Sequence, residues 1–111
     1  MHIPQEGQLL RIFIGETDKY GGRPLYEWIV MEAKAKGLAG ATVMRGMMGF
    51  GAHSRIHTSK ILRLSEDLPI IIEIVDTHEK LQAFLDHIDQ AIGEGLATLE
   101  KADVQFYRHQ G

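Results

Sequence analysis

Two short segments limit this chain more than any other feature: residues 8–14 (QLLRIFI) and 70–75 (IIIEIV) carry large apolar side chains at both odd and even positions. A strand sends successive side chains to opposite faces, so segments of this kind need cover on both sides. In the first, Leu10, Ile12 and Ile14 share one face and Leu9, Arg11 and Phe13 the other. In the second, Ile70, Ile72 and Ile74 oppose Ile71 and Val75. The chain has 111 residues, the size of one ordinary core, so the expectation is a single domain over residues 1–111.

The other elements follow in order around these strands. Residues 15–22 (GETDKYGG) are dense in glycine and turn formers, and Arg23-Pro24 sets proline at the first helical position, where its missing N–H costs nothing. The first helix then runs to about residue 36, with Leu25, Trp28, Ile29 and Ala33 on one face and Gly37 as its C-terminal cap. Residues 41–47 (ATVMRGM) read as a second strand, followed by a glycine-rich passage and by residues 56–64 (IHTSKILRL), which alternate like an extended arm. Leu68-Pro69 breaks the chain before the third strand at residues 70–75. Asp76 or Thr77 caps the second helix, Asp76 with Glu79 approximating a capping box, and Leu81, Phe84, Leu85, Ile88 and Ile92 recur at helical spacing. Gly93 and Gly95 end it, and residues 96–104 (LATLEKADV) form a fourth strand. The order βαββαβ predicts an α+β ferredoxin-like sandwich, an antiparallel sheet with both helices on one face. Two helices cover one face only, so the second apolar face predicts an oligomer packed through its sheets.

Composition narrows the chemistry. There is no cysteine, which excludes disulfides, thiolate metal sites and a cysteine nucleophile. The hydrophobic and charged fractions, 44% and 24%, are those of a globular chain and not of a disordered one. The opening residues MHIPQEGQ have no apolar signal region, and no run approaches the roughly 20 apolar residues of a membrane span, so the expectation is a soluble cytoplasmic protein without membrane insertion. A net charge of −3 argues against nucleic acid as a partner. That figure hides an asymmetry: residues 33–65 contain no Asp or Glu but hold Lys34, Lys36, Arg45, Arg55, Lys60 and Arg63. Either this stretch makes a positive field suited to a small anion, or its bases pair with the acidic helices.

Most of the candidate chemistry lies in that stretch. Gly46, Gly49 and Gly51 are followed by His53, Arg55, His57 and Lys60. Glycines let backbone N–H groups turn toward an anion, and bases add charge-assisted hydrogen bonds, so a phosphate-binding loop is one reading. The other is a loop whose glycines serve unusual backbone angles. Glu16 and Asp18 precede Gly21-Gly22-Arg23 at a helix start, which reads as an anion site or as a turn whose acids bridge within it. His53 and His57 have metal-ligand spacing, but no Glu lies between them and the segment is not helical. Ser54, Ser59 and Ser65 lack a nucleophile-elbow context. Met44, Met47 and Met48 suit either an adaptable interface or core filling.

Residues 9–26 (LLRIFIGETDKYGGRPLY) and 37–69 (GLAGATVMRGMMGFGAHSRIHTSKILRLSEDLP), followed by IIIEIVDT, resemble the small bacterial and archaeal PII-like family long catalogued as a domain of unknown function. The resemblance runs from about residue 6 to residue 104. It implies a ferredoxin-like protomer in a homotrimer, akin to PII signal-transduction and CutA proteins. It also implies a regulatory role without catalysis: a small anionic effector, such as an adenine nucleotide, bound in clefts between subunits, and a partner such as a membrane transporter or channel contacted by the loop after strand two. Carried over by position, the cleft is built from residues 45–60 and from the turn Ile92-Gly93-Glu94-Gly95-Leu96. Arg45 and Arg55 would hold phosphates, Gly46, Gly49 and Gly51 would allow backbone approach, and Gly93, Glu94 and Gly95 would close the far wall. Leu96 stands where the PII turn has lysine, and residues 45–60 contain no tyrosine to serve as a uridylylation acceptor. No other cofactor is expected. The alternatives are an enzyme acting on a small anionic substrate in the same clefts, with His53 or His57 as acid or base, and a CutA-like metal-binding protein.

Overall fold

The computed structural model describes residues 6–50, 57–58 and 67–110. In chain order the strands are β1 (Glu6–Gly15), β2 (Lys19–Tyr20), β3 (Arg23–Pro24), β4 (Thr42–Arg45), β5 (Met48–Gly49), β6 (His57–Thr58), β7 (Pro69–Asp76) and β8 (Leu96–Asp103). Helix α1 (Leu25–Ala35) follows β3, and α2 (His78–Ile88) follows β7 and runs into a 3-10 turn over Asp89–Ala91. The main sheet has the order β4-β7-β1-β8 with every pair antiparallel. The two most apolar strands, β1 and β7, are therefore its centre, and the fold is α+β and ferredoxin-like.

One sheet face is sealed. Leu10, Ile12 and Ile14 of β1 and Ile70, Ile72 and Ile74 of β7 are buried against Leu25, Ile29 and Ala33 of α1 and Leu81, Phe84 and Ile88 of α2. The helices are also joined outside the core, where His87 Nε2 lies 2.6 Å from Glu32 Oε1 and its ring stacks on Trp28. Among the described residues, no helix covers the opposite face. Across it the register aligns Met44, Ile71, Phe13 and Leu96 in one apolar row spanning all four strands. The adjacent row is Thr42, Glu73, Arg11 and Thr98. Arg11 donates to Glu73 and to Glu100, and its pKa is raised, chiefly by the hydrogen bond to Glu73. Charge thus interrupts the apolar character of this face.

Local chemistry sets the element ends. Gly21 and Gly22, at φ 61° and 83°, form the two-residue turn of the β2–β3 hairpin, whose backbone requires left-handed residues. The hairpin corrects one expectation: Pro24 is the extended N-cap of α1 and not its first helical residue, because β3 pairing holds it at ψ 133°. The Leu25 amide instead donates to the Asp18 carbonyl. At the other end Gly37 (φ 77°) and Leu38 donate back to Lys34 and Ala33, the Schellman arrangement. Thr77 caps α2, its hydroxyl accepting from the Lys80 amide. The Asp76–Glu79 capping box does not form, since Asp76 is buried and accepts from Thr77 N and Ala39 N, with Lys80 Nζ 3.8 Å away. Among the described residues, no helix is long and apolar enough to cross a membrane.

Candidate ligand cleft

The glycine turn after α2 bounds a cavity of about 380 Å³, whose walls include Gln82, Asp86 and Asp89 and whose base includes Gly93, Gly95 and Leu96. A Cβ on Gly95 would lie 2.9 Å from the Phe13 carbonyl oxygen and 3.1 Å from an Ile14 methyl, so close approach of the turn to β1 requires glycine there. Gly93 meets nothing within 4 Å. Glu94 is exposed at the tip between them.

Arg45, Gly46 and Gly49 lie together at the far edge of the sheet. Arg45 ends β4, and its Nε is 3.1 Å from Glu16 Oε2. The Gly46 amide donates to the Pro69 carbonyl at 2.7 Å. A Cβ on Gly46 would sit 2.7 Å from the Pro69 ring, and one on Gly49 3.0 Å from the same atom. Neither has a positive φ. These two glycines therefore serve close packing on Pro69, and the unusual backbone angles considered from sequence are not their reason. Met48–Gly49 pairs with His57–Thr58, so the chain returns along itself after β4. Gly51, Arg55 and His53 lie outside the described residues.

Of the acids in the turn after Gly15, Asp18 bridges within it, accepting from Gly15 N, while Asp67, from the segment before β7, accepts from Thr17 N. Glu16 reaches Arg45 instead, a contact that sequence spacing did not reveal. Among the described residues, no group of three His, Asp or Glu side chains is arranged to hold a metal ion.

Among the described residues, the two candidate walls do not meet within the chain. Arg45 pairs with Ile70, Ile70 with Ile14, and neighbouring Phe13 with Leu96, so the end of β4 and the start of β8 share one end of the sheet on opposite edges. Three strand spacings, on the order of 14 Å, separate them.

The sequence profile of the DUF190 family, "Uncharacterized ACR", matches residues 7–104. A UPF0166 protein of Aquifex aeolicus (strain VF5) is 40% identical over 97 residues, covering 87% of this chain and 91% of that protein. A UPF0166 protein of Methanocaldococcus jannaschii is 36% identical over 87 residues, covering 78% and 80%. Among solved structures, CPII, a nitrogen regulatory PII-like protein from Thiomonas intermedia K12 bound to ADP, AMP and bicarbonate, superposes with a TM-score of 0.63 at 17% identity, over 93% of this chain and 90% of that one. Its form bound to ADP and bicarbonate gives 0.66 over the same shares, also at 17% identity. Identity this low speaks for the fold, whereas the profile and the UPF0166 relatives speak for descent: the chain belongs to the DUF190 (UPF0166) family of uncharacterised proteins and has a PII-like fold.

Proposed function

We propose that this protein is a homotrimeric PII-like regulator that binds a small anionic effector, an adenine nucleotide, in clefts between protomers, and that it catalyses no reaction. Residues 1–111 act as one domain in the cytoplasm, with no membrane insertion and no nucleic-acid partner. The cleft combines Arg45, Gly46 and Gly49 of one protomer with Gly93, Glu94 and Gly95 of the next; Gly51 and Arg55 join the first group on sequence grounds alone. The segment after β4 contacts a protein partner such as a membrane transporter or channel, and bound nucleotide selects among its conformations.

The observation that carries this reading is the division of the candidate site between opposite sheet edges at one end of the sheet. A second copy supplies the missing wall if the uncovered row of Met44, Ile71, Phe13 and Leu96 is an assembly surface. Support also comes from the fold shared with CPII, whose structures contain ADP and AMP. The test is native mass spectrometry of gently purified protein, followed by calorimetric titration with adenine nucleotides. A trimer that binds nucleotide at one site per protomer is expected. A monomer at micromolar concentration, or a trimer that binds none, overturns the proposal.

A further inference from the structure

Strand β8 ends at Asp103, paired with Glu6 of β1, and the chain then continues to Gln110 without regular structure. It turns back over the sheet. The Tyr107 hydroxyl donates to the Ala39 carbonyl at 2.7 Å, and Ala39 lies just ahead of β4, at the opposite edge of the sheet from β8. Three strand spacings, on the order of 14 Å, separate those edges, and four extended residues span about 13 Å. Residues 104–107 therefore cross the strands, and the tyrosine side chain completes the reach. The face they cross is the one that no helix covers among the described residues. There Leu9, Glu73 and Val75 floor a cavity of about 510 Å³ whose other walls include Val104, Phe106 and Tyr107.

The two ends of this crossing are held differently. Ala39 is fixed, its amide donating to buried Asp76 while the nearby Gly37 carbonyl accepts from Lys80 Nζ. Tyr107 is 39% exposed, and its hydrogen bond is open to solvent. The Arg108 guanidinium lies 4.2 Å from the centre of the exposed Phe106 ring, a contact within the segment that does not tie it to the sheet. Protein interiors hold few voids larger than a water, so a cavity of this size means that the segment is not close-packed on the strands. A crossing fastened in this way detaches at little cost.

We propose that residues 104–110 are a releasable strap that closes one end of this sheet face, and that its release lets that end associate with a second copy of the chain. Latched, the strap shields the cross-strand pair Leu9 and Val75 and confines the open apolar surface to the row of Met44, Ile71, Phe13 and Leu96. Released, it adds Leu9, Val75 and its own Val104 to that surface, and apolar patches enlarged in this way drive association. The strap is independent of any ligand and of the nucleotide reading.

The test compares the wild type, Tyr107→Phe and a chain ending at Asp103. Trypsin cutting after Arg108 needs the flanking residues extended and clear of the sheet, so loss of residues 109–111, followed by mass spectrometry, reads the released population. Tyr107→Phe keeps the ring and removes the latch, and should speed that cut about fivefold. The chain ending at Asp103 should bind an apolar dye and sediment as a larger species than the wild type, with Tyr107→Phe shifted the same way to a lesser degree. Equal cleavage of the wild type and Tyr107→Phe overturns the latch. A shortened chain that sediments as the wild type does and binds no dye overturns the cover; should that chain not fold, dye binding and sedimentation of Tyr107→Phe decide the same point. Nucleotide enters none of these readouts, so a wild-type monomer overturns the trimer while the cleavage ratio still reads the strap.

Discussion

The Glu16 carboxylate and the Arg45 guanidinium meet at 3.1 Å, joining the turn after β1 to the last residue of β4 at the base of the proposed ligand loop. Glu16 Oε1 is buried without a hydrogen-bond partner among the described residues, so the pair leaves the carboxylate half satisfied. An anion arriving at Arg45 competes with Glu16. Replacing Glu16 with Gln should therefore tighten AMP binding on the order of threefold to tenfold, while Arg45→Ala should weaken it tenfold to a hundredfold. Glu16→Gln should change stability by no more than about 1 kcal/mol, whereas Arg45→Ala, which leaves the half-buried carboxylate without its cation, should cost about 1–3 kcal/mol. Calorimetry and urea unfolding measure the two effects; equal AMP affinity in wild type and both variants would move the phosphate away from Arg45.

The uncovered sheet face makes a second prediction. Phe13 and Ile71 are direct cross-strand neighbours in its apolar row. Phe13→Asp or Ile71→Asp should dissociate or unfold the protein, because an unpaired charge buried at an interface costs several kcal/mol. Sedimentation at micromolar concentration is the measurement. Wild-type assembly by both variants would mean that this face remains in water.

Two glycines of one turn should behave differently. Gly95→Ala forces a Cβ to 2.9 Å from the Phe13 carbonyl oxygen, and should cost about 1–3 kcal/mol as an overpacking change. Gly93→Ala meets open space at a non-positive φ, and should be neutral or stabilise by about 0.4–1 kcal/mol through the unfolded chain. Urea denaturation of the pair checks the contrast. Similar losses in both would show that the turn does not approach β1 so closely.

Asp76 is the buried acid of the fold among the described residues, 1% exposed. It accepts the Ala39 and Thr77 amides and so ties the segment entering β4 to the start of α2. Asp76→Ala leaves two amides without acceptors and should lower stability by about 2–4 kcal/mol. Thr77→Ala, which removes only the cap to Lys80, should cost about 1 kcal/mol. Guanidinium unfolding would reverse the roles of the two residues if the order of these losses were inverted.

The architecture is legible in the amino-acid order alone, because the relevant signals are local and repetitive. Short, near-continuous apolar runs in β1 and β7, the 3.6-spaced stripe from Leu81 to Ile88 and Gly37 after Lys36 name their elements without tertiary information. Apolar residues on both faces of the two central strands likewise imply a surface that two helices cannot cover. The glycine turn at Gly93–Gly95 is legible for the same reason, since it follows a clear helix and precedes a strand, although α2 itself stops at Ile88 and a 3-10 turn over Asp89–Ala91 intervenes.

Pairing between residues distant in sequence is settled by the fold. Glu16 and Arg45, Arg11 and Glu100, and Asp76 and Ala39 meet because strand order and register bring them together, and no periodicity encodes that. The same holds for the packing of Gly46 and Gly49 on Pro69, which reads in sequence as a phosphate-binding loop or as glycines serving unusual backbone angles. Asp76 resembles a helix cap when only its neighbours are considered, but tertiary contact turns it inward and leaves the cap to Thr77. A propensity summarises what a residue does with its neighbours in the chain. A site consists of residues from separate strands, and their meeting is fixed by the cooperative burial that sets the register of the whole sheet.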